Sequence, residues 1–261
     1  MCSLRLLRPR HPFWLFVAAA LAPACGTRID FGSDLLWSAR HETGDLSEWS
    51  EGDEGGSAAD PPTTTAAVTT DFAHSGRYAV KLANSASGTY DAARVWRESV
   101  FPLEAYYSAW YYLPGAYETP ADWTIMQFRN PSAQDPSSLS EFIDIDLRAV
   151  PGGQMILSVY DHRAQYLRSP TPDPAIPVPI GRWFQIEALF RNAGDDSGRL
   201  AVWLDGQLDY DIRRPMGLSS TSYWSPCSST EDLSPGDSEI YLDDAAVSLV
   251  RLTPAGTLGD P

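Results

Sequence analysis

The chain has 261 residues, with 19 Lys and Arg against 34 Asp and Glu, and a formal charge of −15. So acidic a surface repels phosphate backbones over its whole area, which excludes nucleic-acid binding. The length suits one large sandwich or two small domains, and no second boundary is visible.

Residues 1–24 read as an export signal. Arg5, Arg8 and Arg10 precede an apolar run at 12–22, too short to span a bilayer as a helix, and Ala22-Pro23-Ala24-Cys25-Gly26 follows. The small-small-Cys ending resembles a bacterial lipobox, with Ala22 where Leu is usual. It implies cleavage before Cys25, diacylation of that cysteine and a membrane anchor held by more than one acyl chain. Gly26 resembles an outer-membrane address, so a cell-envelope or extracellular location is expected. Removing the three signal arginines moves the charge to about −18. Cys2 leaves with the signal, Cys25 is lipidated and Cys227 stands alone in a Ser- and Pro-rich stretch, so no intrachain disulfide is expected. Cys227 reads as a bystander in a loop, with no activating group adjacent to it in sequence.

Residues 25–40 read as a lipidated tether with some strand character, and the domain proper begins at 41. Residues 51–60 are acidic and Gly-rich and read as loop. Alternating or β-branched runs predict strands at 63–70, 78–83, 94–101, 106–113, 123–129, 142–149, 154–161 and 240–252. The clearest pair is 184–191 and 199–205. Phe184, Ile186, Ala188 and Phe190 alternate with Gln185, Glu187, Leu189 and Arg191, and the turn at 192–198 is rich in residues tolerant of left-handed dihedrals. No amphipathic helix of about ten residues is found. The 21 Pro and 19 Gly lie mostly between these runs, as at 169–179. So many short strands bury their apolar faces most economically as two stacked antiparallel sheets, an all-β sandwich.

Alternation also groups polar side chains on shared faces. Ile125, Gln127 and Arg129 fall together, as do Asp144, Asp146 and Arg148. Gln154, Ser158, Tyr160 and His162 extend the set on the next strand, and Gln185, Glu187 and Arg191 on the one after. Aromatics such as Tyr106, Trp110, Tyr160, Trp203 and Trp224 exceed what one core face absorbs. Aromatic rings stack on sugar faces, and amides and guanidinium forks pair with hydroxyls and carboxylates.

The order GDLSEW, HSGRYAVKL, YYSAWYYLP, GRWFQIEALFR with GRLAVWLDG, and IYLDDAAVS, over roughly 42–252, resembles concanavalin A-like jelly rolls of the polysaccharide lyase superfamily, related to heparin lyase I and the alginate lyases. The resemblance implies a two-sheet jelly roll over 41–252, a C-terminal tail at 253–261, and a concave sheet that forms a groove for extended polysaccharide. Alginate-lyase-like enzymes carry an Arg-rich strand, a Gln-x-His strand and a late Tyr/Lys-rich strand. Arg94-Val95-Trp96-Arg97-Glu98 resembles the first, and Gln127-Phe128-Arg129 the second, with Arg129 where the pattern has His. Tyr241-Leu242-Asp243-Asp244 lacks the Lys and second Tyr of the third. Tyr160, His162 and Tyr166 are left as sources of acid and base. Arg97, Gln127, Arg129, Tyr160 and His162 are therefore the candidate catalytic set. Arg94, Asp144, Asp146, Arg148, Gln185, Glu187 and Trp203 are the candidate ligand contacts.

Glu141-Phe142-Ile143-Asp144-Ile145-Asp146 is compared with the carboxylate strand of family 16 glycoside hydrolases, but its first spacing puts Glu141 and Asp144 on opposite faces. In related jelly rolls an early Glu and a late Asp-Asp hold a structural Ca²⁺; Glu42, with Asp45 nearby, and Asp243-Asp244 match, so Glu42 and Asp244 are candidate ligands. The expectation is an exported, lipid-anchored, monomeric β-sandwich that binds polysaccharide without turnover. A lyase that cleaves uronic-acid polymers by β-elimination is the alternative, and a structural or protein-binding surface lipoprotein is the third reading.

Overall fold

The computed structural model describes residues 34–252 except 61–62, 86–90, 119–122, 132–138, 169, 171, 218–220, 231–232 and 234–235; at 131, 139–141 and 166–168 only the backbone is described. The expected signal, Cys25 and the 253–261 tail lie outside these residues.

The strands are β1 (Leu35–Ala39), β2 (Gly55–Asp60), β3 (Thr65–Thr69), β4 (Ala79–Asn84), β5 (Asp91–Ser99), β6 (Glu104–Tyr112), β7 (Trp123–Pro131), β8 (Leu139–Val150), β9 (Gln154–Asp161), β10 (Tyr166–Arg168), β11 (Trp183–Arg191), β12 (Arg199–Leu204), β13 (Gln207–Arg213), β14 (Ser222–Thr230) and β15 (Ser238–Ser248). They form two antiparallel sheets, as expected. One has eight strands in the order β13-β12-β11-β6-β15-β4-β3, with β1 also on β15; the other has seven, in the order β10-β9-β8-β7-β14-β5-β2. Between β1 and β2 a 3₁₀ turn spans Glu51–Asp53.

Both sheets turn their apolar parity onto one core. Tyr107, Tyr111, Phe184, Ile186 and Phe190 of the larger sheet meet Val95, Phe128, Ile143, Leu157 and Trp224 of the smaller. Phe128 stacks on Phe190 with centroids 4.9 Å apart, and meets Tyr107 edge-on at 5.1 Å. Burying such rings is the principal stabilising term of the sandwich. Two buried phenols tie the sheets across the gap. The Tyr111 hydroxyl donates to Ile125 O at 3.3 Å and the Tyr210 hydroxyl to Leu157 O at 3.0 Å.

Three segments differ in part from the sequence reading. The strand character expected within the tether is present at residues 35–39, but this strand pairs with 245–248 and sends Trp37 into the core beside Trp49 and Trp224, so the sandwich begins before residue 41. The expected loop 51–60 contains β2, an edge strand on β5. Most consequential is β14: the Ser- and Pro-rich stretch around Cys227 lies centrally in the seven-stranded sheet, between β5 and β7. Pro226 lacks an N–H for the ladder, and a register shift between Pro226 and Ser229 accommodates it. A second shift, between Thr124 and Met126 on β7, sends both Ile125 and Met126 into the core. Strict alternation fails there. Ile125 leaves the face expected of it, while Gln127 and Arg129 stay outside.

Candidate functional site

The outward face of the seven-stranded sheet carries two adjacent rows of side chains. Cross-strand pairing aligns Tyr223 with Arg129 and Arg129 with Phe142, and the N–H of His162 donates to Phe142 O at 3.2 Å. One pleat along, Ser225 pairs with Gln127, Gln127 with Asp144, and Asp144 with Tyr160. Directly opposed residues on one sheet face are within side-chain reach, so eight groups from β14, β7, β8, β9 and the turn after β9 converge.

Their contacts are specific. Gln127 Nε2 donates to Asp144 Oδ1 at 2.9 Å, and His162 Nε2 lies 2.6 Å from Asp144 Oδ2. A carboxylate only accepts, so this contact puts a proton on Nε2 and, in the neutral ring, leaves the lone pair on Nδ1. The imidazole stacks on Phe142 at 3.8 Å with planes 5° apart, and meets Tyr160 edge-on at 4.7 Å. The Arg129 guanidinium lies 4.6 Å from the Phe142 ring centre and 5.9 Å from that of Tyr223. Its Nε is buried without a hydrogen-bond partner among the described residues. Burial pushes the Tyr223 phenol above its ordinary pKa, against a hydrogen bond with Ser225 and the field of Arg129. Beneath the rows, burial and the nearby Asp144 push the Cys227 thiol far up, so Cys227 is a neutral part of the floor and not a nucleophile.

Of the expected catalytic set, Gln127, Arg129, Tyr160 and His162 come together here. Arg97 does not. It shares the parity of Ala93 and Val95 and turns to the sandwich interior, with its Cζ 5.4 Å from the Trp37 ring centre, Nη1 donating to Glu51 O at 2.5 Å and Nη2 to Glu54 Oε2 at 2.9 Å. It fastens the 3₁₀ turn. Of the expected ligand contacts, Asp144 is the hub. Arg94, opposite Cys227, and the half-buried Arg148 lie on the same face, and Asp146 is buried two residues from Asp144.

Gln185, Glu187 and Trp203 lie on the other sheet and cannot join them. They face outward beneath the chain's C-terminal segment. Gln185 Nε2 donates to Ser108 Oγ at 2.8 Å and Leu252 O at 2.6 Å. Glu187 accepts from Arg251 Nε at 2.8 Å and from the Leu252 N–H, and the Arg251 guanidinium covers Trp203 at 4.2 Å. Alternation gave their parity correctly and their sheet wrongly.

The expected Ca²⁺ ligands do not fit a hard cation. Glu42 Oε1 accepts the backbone N–H groups of Arg77 and Tyr78 at 2.9 and 3.1 Å. Asp244 accepts from Ser75 Oγ at 2.9 Å and pairs with His74 Nδ1 at 2.7 Å and Arg40 Nε at 3.4 Å. Although burial opposes it, these contacts hold the Asp244 carboxyl below its ordinary pKa. Asp243 accepts hydrogen bonds from the backbone N–H groups of His74 and Ser75, and its other oxygen lies 3.3 Å from His41 Nδ1. N–H donors and cations stand where a metal would be, and among the described residues no three His, Cys, Asp or Glu side chains form a metal-holding group.

Sequence reasoning missed Phe142 and Tyr223. Phe142 has the same parity as Asp144 and could have been found from it. Tyr223 was hidden because its strand read as a loop.

Residues 41–224 match the family model described as polysaccharide lyase. No curated protein matches the chain. Several solved structures share the fold. A cellulose induced protein, Cip1, is 14% identical with a TM-score of 0.59, over 83% of this chain and 98% of that one. An endo-β-1,4-glucuronan lyase from the fungus Trichoderma reesei is 13% identical at 0.54, over 82% and 95%. A variant of the alginate lyase Aly36B in complex with an alginate trisaccharide is 10% identical at 0.60, over 82% and 98%.

Proposed function

We propose, from the premise that this chain belongs to the polysaccharide lyase family, that it cleaves a uronic-acid polysaccharide by β-elimination on the outward face of its seven-stranded sheet. The observation that carries the reading is the hydrogen-bonded line Gln127–Asp144–His162 beside the Arg129 guanidinium. Similarity in fold to a glucuronan lyase and an alginate lyase supports an acidic polymer as substrate.

The chemistry follows from the groups. Arg129 pairs with the uronate carboxylate, assisted by the second N–H of Gln127, and so acidifies the adjacent C5–H. His162, held by Asp144, accepts that proton at Nδ1. The C–H electron pair forms the C4=C5 double bond, the C4–O4 bond breaks with its pair on oxygen, and the Tyr160 hydroxyl protonates the leaving O4. Water returns a proton to Tyr160 and takes one from His162, so the cycle closes with no redox partner.

The N-terminal pattern supports an envelope location through Cys25, where the enzyme would meet extracellular polymer. Replacing Cys25 with Ala should move the protein from the membrane fraction to the soluble one.

The direct test incubates the purified protein with alginate, polyglucuronate and neutral glucans and follows the ultraviolet absorbance of unsaturated uronate ends. New absorbance is expected with an acidic polymer only, and its loss in His162→Ala and Arg129→Ala. Retention of polymer with no unsaturated product would replace the lyase reading with a binding one.

A further inference from the structure

We infer that Phe142 is the positioning residue of this site, an apolar spacer that holds the proton-accepting imidazole in plane and keeps the Arg129 guanidinium from collapsing onto Asp144, the carboxylate that holds that imidazole. The inference rests on the lyase reading for its kinetic consequence, but its geometric content stands separately.

The row Tyr223–Arg129–Phe142–His162 alternates aromatic, cation, aromatic and imidazole. Phe142 touches both of its functional neighbours: His162 stacks on it at 3.8 Å and 5°, and Arg129 lies over it at 4.6 Å. Asp144 constrains His162 only at one edge, through Nε2. A hydrogen bond at an edge leaves the ring able to pivot about that contact, and a parallel stack removes the pivot. Together the two contacts aim Nδ1.

The second role is electrostatic. Facing His162 are Asp144 from β8, Tyr160 from β9 and, beyond the Phe142 ring, Arg129 from β7; the exposed Arg163 follows it in the turn. Asp144 is the carboxylate nearest the imidazole, and a guanidinium would pair with it strongly if nothing intervened. Such a pair would occupy the cation meant for the substrate and take the hydrogen-bond acceptor from His162. The benzene ring denies that approach and compensates Arg129 with a π face, while Tyr223 supplies a second from the opposite side. No side chain without an aromatic ring would do both at this position.

The test compares Phe142→Leu, which keeps apolar bulk and removes the flat face, with Phe142→Tyr, which keeps the ring. Positioning predicts that Phe142→Leu loses about 10²-fold in kcat, the scale of a small misplacement at a reacting centre, with KM and thermal midpoint little changed, and that Phe142→Tyr restores turnover. Equal kcat for Leu and wild type, or a Leu variant whose activity falls only in step with its stability, would overturn the inference. The His162 ring protons, assigned by their absence from His162→Gln, provide a readout independent of turnover. They should be shifted upfield by the stacked ring in wild type and Phe142→Tyr and move downfield in Phe142→Leu. Unmoved signals refute the stack. A wild type inert on every uronate polymer refutes the lyase reading instead.

Discussion

The outward faces of the two sheets carry the same chemical vocabulary and put it to opposite uses. On the seven-stranded sheet Gln127, Asp144, Arg129 and Phe142 form a connected group beside the half-exposed His162 and Tyr160. On the eight-stranded sheet Gln185, Glu187, Arg251 and Trp203 form a group of matching types, an amide, a carboxylate, a guanidinium and an aromatic ring. There the chain itself is the ligand. Leu252 gives its N–H to Glu187 and its carbonyl to Gln185, and Arg251 fills the space over Trp203. Gln127 and Asp144 are buried much as Gln185 and Glu187 are, so the two faces differ in Arg129, Phe142, Tyr160 and His162, which stay half-exposed where Arg251 and Leu252 close the other face.

The comparison breaks most sharply under substitution of the open face. Arg129→Ala and His162→Ala should each lower kcat/KM on an acidic polymer by about 10²–10⁴-fold, the range for removing a charge-stabilising or proton-transferring group. Both should change the unfolding free energy by less than about 1 kcal/mol, because His162 is partly solvated and the half-buried Arg129 lies over Phe142 and Tyr223 on the outward face. Steady-state kinetics beside denaturant titration tests this. If either variant unfolds readily and the remaining folded protein turns over normally, the two faces are alike after all.

The closed face should respond in reverse. Glu187→Ala leaves the Arg251 guanidinium and the Leu252 N–H without their acceptor at a buried site, and should cost about 2–4 kcal/mol in denaturant unfolding with kcat on the folded protein unchanged. A fall in kcat at full stability would show that this face contributes to the reaction.

Asp209 on β13 sharpens the comparison by being a buried carboxyl with no guanidinium like the one that serves Glu187. Burial, opposed by the N–H of Ile176, raises it from 3.8 to about 6. Its folded pKa exceeds its unfolded one, so the folded state binds the proton more tightly. The stability this confers is complete below about pH 4 and is lost as pH rises through about 6. Asp209→Asn should therefore flatten the stability profile over that interval and gain about 1–3 kcal/mol at neutral pH. An unchanged slope between those limits would remove Asp209 as its source.

The smallest effect concerns the tie between the sheets. Tyr111→Phe deletes the bond to Ile125 O at the β7 register shift, below the open face, and should cost about 1 kcal/mol by thermal unfolding with turnover intact.

Much of this was legible in the residues. The run from Phe184 to Phe190 showed its parity because every apolar side chain in it serves one core, and the turn before β12 announced itself in Gly and Asp. Gln127, Arg129, Asp144, Tyr160 and His162 could be placed on neighbouring faces because β7, β8 and β9 follow one another through the chain and pair in that order. The illegible parts have physical causes. In β14 a proline and several serines mimic a loop, and only its two flanking strands, contributed by distant parts of the chain, make it a strand. Arg97 was assigned outward from a motif likeness although its own parity, shared with Val95, points inward. Ile125 was misassigned because a bulge interrupts period two.

By itself, then, the order of residues determined that the protein is a stack of antiparallel strands with one apolar side, and which side chains within a strand travel together, because both follow from the two-residue pleat and from local turn chemistry. Tertiary structure alone decided which sheet each strand joined, and which polar face Arg251 and Leu252 would cover. Those outcomes depend on contacts such as Glu187 with Arg251 and Tyr223 with Arg129, between residues far apart in the chain. Local periodicity carries no information about them, since a side chain that faces away from the core looks the same in sequence whether water or the chain's own C-terminal segment lies above it.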